Sequence, residues 1–160
     1  MSRRNNPSKT RFLQTFPETT IETEITKLST RLRFSFAYFD YSQEPAQNFE
    51  DWTHEQLAKL LHKLKHYSEE TKEYWMNQRV GAGSLKVLEV YGSFPKRSDY
   101  IHPKHIPVDV NWARFRLESD MRLIGFLVPP NTDGVSSAVA NTFYITFLDQ
   151  HHRFYLSESK

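Results

Sequence analysis

The sequence predicts an α+β fold: an antiparallel sheet, a strand–helix–strand meander, with one long helix packed on a face. Three observations carry this. Residues 111–118, 121–128 and 142–148 read as consecutive strands, residues 52–77 carry a helical apolar stripe, and a further strand precedes that helix. In the first of the three strands Ala113, Phe115 and Leu117 alternate with Trp112, Arg114 and Arg116. A polar turn at Ser119-Asp120 leads into the second, which is apolar except for Arg122. In the third, Phe143, Ile145 and Phe147 alternate with Thr142, Tyr144 and Thr146. Period-two alternation marks a half-covered strand, and an apolar run of this length marks a central one.

The chain divides into a tail, residues 1–20, and one domain, residues 21–160. The tail is polar and basic with Pro7 and Pro17, which predicts a partly disordered terminus. Its Phe12, Leu13 and Phe16 are candidates to dock on the body. Residues 21–29 fit a short helix or a lead-in strand. Residues 32–41 alternate Leu32, Phe34, Phe36 and Tyr38 with Arg33, Ser35 and Ala37, a strand pattern. Pro45 breaks the loop at 42–50. In the long helix, Leu57, Leu60, Leu61, Leu64, Tyr67, Thr71, Tyr74 and Trp75 recur at three- and four-residue spacing. Asp51 or Thr53 can cap its start. Residues 85–91 form a further strand. The loops at 92–107, with three prolines, and 129–140, rich in Pro, Ser, Asn and Gly, interrupt the pattern.

Composition narrows the chemistry. Twelve Phe, eight Tyr and three Trp argue against disorder of the whole chain. The absence of cysteine excludes disulfides, zinc–thiolate sites and thiol catalysis. No apolar run approaches the ~20 residues of a membrane span, so a soluble, cytoplasmic protein with no membrane partner is expected. The formal charge is +2, but Arg3, Arg4, Lys9 and Arg11 all precede the first acid. The rest holds 17 basic against 19 acidic residues, a formal −2. Polyanion binding must therefore be local. No glycine-rich phosphate loop and no GxSxG elbow is present.

The candidate site is an arginine set with the residues near the chain end. Arg122 interrupts an apolar strand, where a guanidinium needs a carboxylate, a phosphate or water. Arg114 and Arg116 share one face of the neighbouring strand. The chain then runs Asp149-Gln150-His151-His152-Arg153-Phe154-Tyr155. Histidine moves protons near neutral pH, arginine stabilises a phosphorane, and tyrosine stacks or donates a proton. These parts suit RNA cleavage by the ribose 2′-hydroxyl with no cofactor. A plain arginine–carboxylate ladder through Glu118, Asp120 and Asp149 fits the same residues. Metal ligation by His102, His105, Asp149 and His151 is a weaker third reading.

The run RFRLESDMRLIGFLV to FYITFLDQHHRFY, with the order strand, helix, meander, resembles the RelE/YoeB-like toxin superfamily of bacterial mRNA interferases. The resemblance implies a metal-free endoribonuclease acting on mRNA, on the ribosome in the family, and neutralised by a partner antitoxin protein. It places Arg122 at the family's central-strand arginine, His152 or Arg153 at the late basic position and Tyr155 at the terminal tyrosine. Arg116 or Glu118 falls at the preceding position. Arg114, Lys96, Arg97 and Lys104 are the expected RNA-binding residues. The chain is longer than the usual toxin, and its 92–107 and 129–140 loops are additional. The alternative is a non-catalytic protein-interaction module of a phage-defence or mobile-element system.

Overall fold

A computed structural model describes residues 6–157. Arg3 and Arg4 of the basic tail, and residues 158–160, lie outside the described residues. The elements are helices α1 (Pro7–Leu13) and α2 (Ile21–Thr30), strand β1 (Arg33–Ser35), helices α3 (His54–Tyr67) and α4 (Lys72–Asn77), strands β2 (Leu88–Gly92), β3 (Asn111–Arg116) and β4 (Arg122–Leu127), helix α5 (Ser137–Ala140) and strand β5 (Thr142–Asp149). The architecture is α+β, with one five-stranded sheet in the order β1-β5-β4-β3-β2.

The predicted all-antiparallel sheet is corrected to a mixed one. Strands β2 to β5 form an antiparallel meander, but β1 lies parallel to β5, pairing Arg33 with Thr142 and Ser35 with Tyr144. The chain leaves β1 through α3 and α4 and returns at the far edge, so the meander ends beside β1 running the same way. Only three residues of the expected strand at 32–41 pair.

The single long helix becomes two. Thr53 caps α3 in a reciprocal box with Gln56 (3.2 and 2.9 Å). The apolar stripe does continue to Trp75, but Thr71 accepts the Tyr74 N–H and restarts the helix as a new N-cap. The carbonyls freed at the break find other donors. The Trp75 indole N–H donates to Tyr67 O at 2.7 Å, and the Leu32 N–H donates to Glu70 O at 2.9 Å. Tertiary partners thus stabilise a break that spacing alone conceals.

Two other expectations resolve differently. Residues 21–29 are helical, started by the Thr20/Thr23 capping box. The tail carries α1, capped by Asn6 with Pro7 at its first position, and Phe12, Leu13 and Phe16 stay exposed rather than docking.

The sheet is also not half-covered. One face packs Ala113, Phe115, Leu123, Phe143 and Ile145 against Leu60, Leu64, Tyr67 and Trp75 of the helices. The other packs Trp112, Ile124, Phe126 and Phe147 against Tyr100, Ile106 and Phe154, from the 93–110 loop and the chain end. A β-bulge sets this division. Ile124 pairs with Phe147 and Gly125 with Ile145, leaving Thr146 as the extra residue. Phe147 therefore leaves the face of Phe143 and Ile145, contrary to the simple alternation. The Thr146 carbonyl accepts the Asp40 N–H at 2.8 Å. Beside the bulge only glycine fits: a Cβ at Gly125 would collide with the Tyr144 carbonyl and the Phe143 ring.

Candidate anion-binding cleft

Register assembles the site. Directly opposed residues share a sheet face, and Arg116 faces Arg122, which in turn faces Asp149. One step along, Arg114 faces Ile124 and is flanked by Glu89 of β2. All lie on the loop-covered face, beyond the end of its aromatic layer. Of these, Glu89, Arg114, Arg116 and Arg122 line a cleft of about 370 Å³ with Tyr91, Asp120, His152 and Tyr155.

The three arginines differ in their partners. The Arg114 Nε and Nη2 both donate to Glu89 Oε2, at 3.1 and 2.5 Å, and its guanidinium lies 5.9 Å from the Tyr91 ring centroid. It is neutralised in place. Arg122 is 3 % exposed and donates through Nη1 to the Ser119 and Met121 carbonyls, at 2.6 and 2.8 Å. Among the described residues neither Arg116 nor Arg122 has a carboxylate within ion-pair distance, and the Nε of each is buried without a partner. The expected ladder through Glu118, Asp120 and Asp149 is corrected: Arg114 alone of the three has a carboxylate partner, and it is Glu89, whereas Glu118 pairs with Lys59.

Burial pushes the Arg122 guanidinium down to about 10, and the Arg116 and Arg114 charges push the same way. Arg116 is lowered for the same two reasons, desolvation and then Arg114. Both remain cations at neutral pH. Two adjacent cations with no carboxylate at ion-pair distance among the described residues, with Glu89 and Asp120 of the cleft lining acting only from further off, have the charge to attract an oxyanion.

Asp149 is fully buried but does not neutralise Arg122. Its Oδ1 accepts the Arg153 N–H and its Oδ2 the Phe154 N–H, both at 2.9 Å. This carboxylate holds the tight turn after β5, in which His152 takes a left-handed conformation with φ 56°. The turn delivers His152 to the cleft wall. Desolvation lowers the His152 imidazole from its usual 6.5, and the charges of Arg122 and Arg114 add to that. Both effects favour the neutral imidazole over the imidazolium. Tyr155 stacks on Tyr91 at 4.9 Å with planes 9° apart.

The expected site residues thus separate. Arg114, Arg116, Arg122, His152 and Tyr155 meet in one cleft. Arg153 does not line it: its guanidinium bonds Asp99 at 2.8 Å and Glu44 at 3.0 Å, and these carboxylates raise its affinity for the proton. Lys96 and Arg97 line a neighbouring cavity of about 610 Å³, whereas Lys104 lies in an exposed turn that lines neither. The metal reading is corrected, because among the described residues no three His, Asp or Glu side chains gather as a ligand set. His102 packs on Phe94 and Trp112, and His105 stacks on Tyr38. Sequence reasoning missed Glu89 and Tyr91, which enter only through the pairing of β2 with β3. Among the described residues no helix is long and apolar enough to cross a membrane.

Comparison with family models, with curated proteins and with solved structures finds no match.

Proposed function

We propose that the chain is a RelE-like toxin, a metal-free endoribonuclease that cleaves mRNA at the Arg116/Arg122 cleft. The observation that carries this reading is the half-buried Arg116 beside the buried Arg122 in one cleft, with no carboxylate within ion-pair distance of either among the described residues and with His152 on the cleft wall. The chain order of strand, two helices and meander supports it as well.

In this mechanism His152 removes the proton from a ribose 2′-hydroxyl, whose oxygen bonds to the adjacent phosphorus. Arg116 and Arg122 stabilise the charge of the pentacovalent phosphorane. The bond to the 5′-oxygen breaks with its electron pair, and the Tyr155 hydroxyl supplies the proton to that oxygen. The products are a 2′,3′-cyclic phosphate and a 5′-hydroxyl end. Solvent returns the tyrosine proton and removes the histidine one. Arg114 is held by Glu89 and orients the Tyr91–Tyr155 stack; Arg153 has no part in the chemistry. An antitoxin covering the cleft would neutralise the positive pair and block RNA.

A second reading, a non-catalytic protein-interaction module, is favoured by one observation. Phe12, Phe16, Ile21, Ile25 and Leu28 are all at least half exposed in the N-terminal region. Controlled expression in a bacterial host separates the two. The nuclease reading expects growth arrest with new RNA 5′ ends, both lost in Arg122→Ala and Tyr155→Ala. Normal growth and intact RNA with the wild type would move the assignment to the module.

A further inference from the structure

The arginine cleft does not end at the tyrosines. Tyr91 and Tyr155 form a wall shared with the 610 Å³ cavity, whose other lining includes Ser93, Phe94, Lys96 and Arg97. Lys96 and Arg97 are exposed, and among the described residues neither has a carboxylate within ion-pair distance. Their loop is not left loose beside the wall. Leu156 N–H donates to Arg97 O at 3.0 Å and Asp99 N–H to Arg153 O at 3.1 Å, pairing the loop with the chain end. The Arg153 bridges to Asp99 and Glu44 fasten the same junction. Arg153 thus acts as a positioning residue for the second cavity, which accounts for its absence from the first.

We infer that the second cavity is a neighbouring phosphate subsite, so that single-stranded RNA runs from the Arg116/Arg122 cleft across the Tyr91–Tyr155 stack to Lys96 and Arg97. The inference rests on the RNA reading of the cleft. Its chemistry is that of single-strand recognition: cations meet successive phosphates while an aromatic face takes a base without selecting its sequence. Tyr155, 43 % exposed and backed by Tyr91, presents such a face. The substrate class is therefore an oligonucleotide that extends beyond the scissile linkage, not a dinucleotide or a free nucleotide.

The test is binding of fluorescent 2′-O-methyl RNA, which has no attacking hydroxyl, as a dinucleotide and as a hexanucleotide. The wild type is compared with Lys96→Ala/Arg97→Ala, and circular dichroism verifies the fold of this surface variant. The inference expects the hexanucleotide to bind more tightly. The double variant should bring it to the level of the dinucleotide and leave the dinucleotide unchanged. It should also lower the hexanucleotide salt slope by about 1.4, at ~0.7 for each phosphate that no longer meets a cation. Equal affinities of the two lengths, no binding of either, an unchanged hexanucleotide in the variant, or equal weakening of both lengths would each overturn it. Length-dependent binding by a protein that leaves unmodified RNA intact would remove the nuclease assignment and keep the subsite.

Discussion

Strands β3 and β4 present two contrasting ends on a single face of the sheet. At one end Trp112 and Phe126, with Phe147 of the adjoining β5, lie beneath Phe94, Tyr100 and Phe154, with Trp112 5.0 Å from Phe94 and 5.6 Å from Phe154. At the other, further along the same strands, Arg116 and Arg122 stand side by side in a cleft that Tyr91 and Tyr155 also line. The aromatic end gains from burying apolar area. The arginine end opposes folding, because desolvation and like-charge repulsion both work against the guanidiniums. Apolar side chains at 116 and 122 would have continued the aromatic layer at lower energy. A site that costs stability where the neighbouring positions provide it points to selection for binding.

Breaking the stable end has the largest expected effect. Trp112→Ala removes a fully buried indole from the centre of the layer, and a loss of about 3–5 kcal/mol in denaturant unfolding is expected. Retention of wild-type stability would mean that the layer contributes little. A smaller and opposite change should follow at the other end. Arg116→Met keeps the aliphatic volume and removes a charge that makes no side-chain hydrogen bond among the described residues. It should raise stability by about 0.5–1 kcal/mol while abolishing binding of phosphate-bearing ligands. Destabilisation by this variant would show that Arg116 is compensated after all.

The smallest effect is the pH dependence of His152. Its folded value is lowered below 6.5, so the native protein binds fewer protons than the unfolded chain between the two values. Its contribution is complete above the unfolded value and is lost as pH falls through 6.5 toward the folded one. Arg122 and Arg114 strengthen the shift, and Asp149 and Asp120 oppose it. Unfolding titrations of wild type and His152→Gln should diverge in that window, with the wild type losing more stability on acidification. Identical profiles would place His152 in free contact with water.

Much of the fold is legible in the sequence because local forces decide it. The β3 and β4 patterns, the Thr53 cap and the apolar stripe of α3 can all be read from spacing. The division of the long helix cannot, since Thr71 suits a helix surface as well as a cap, and the Glu70 carbonyl is satisfied by Leu32, far away in the chain. The parallel placement of β1 depends on where a crossover returns, which periodicity does not encode. In the site, Arg122 stands out because a cation in an apolar strand is an energetic anomaly. Arg153 carries the same charge near the chain end and reads alike. Only Asp99 and Glu44, brought close by the fold, distinguish it.

By itself the sequence determined the α+β class, the meander and the presence of an arginine within an apolar strand, since these follow from side-chain type and period; that Arg114 and Arg122 are buried came from the fold. The tertiary structure alone decided which arginines are neutralised, through Glu89 on β2 and the pair Glu44 and Asp99. It also decided where Phe147 points, through the bulge at Thr146. Ion pairing and register depend on distances between residues remote in the chain, and these exist only once the sheet has closed.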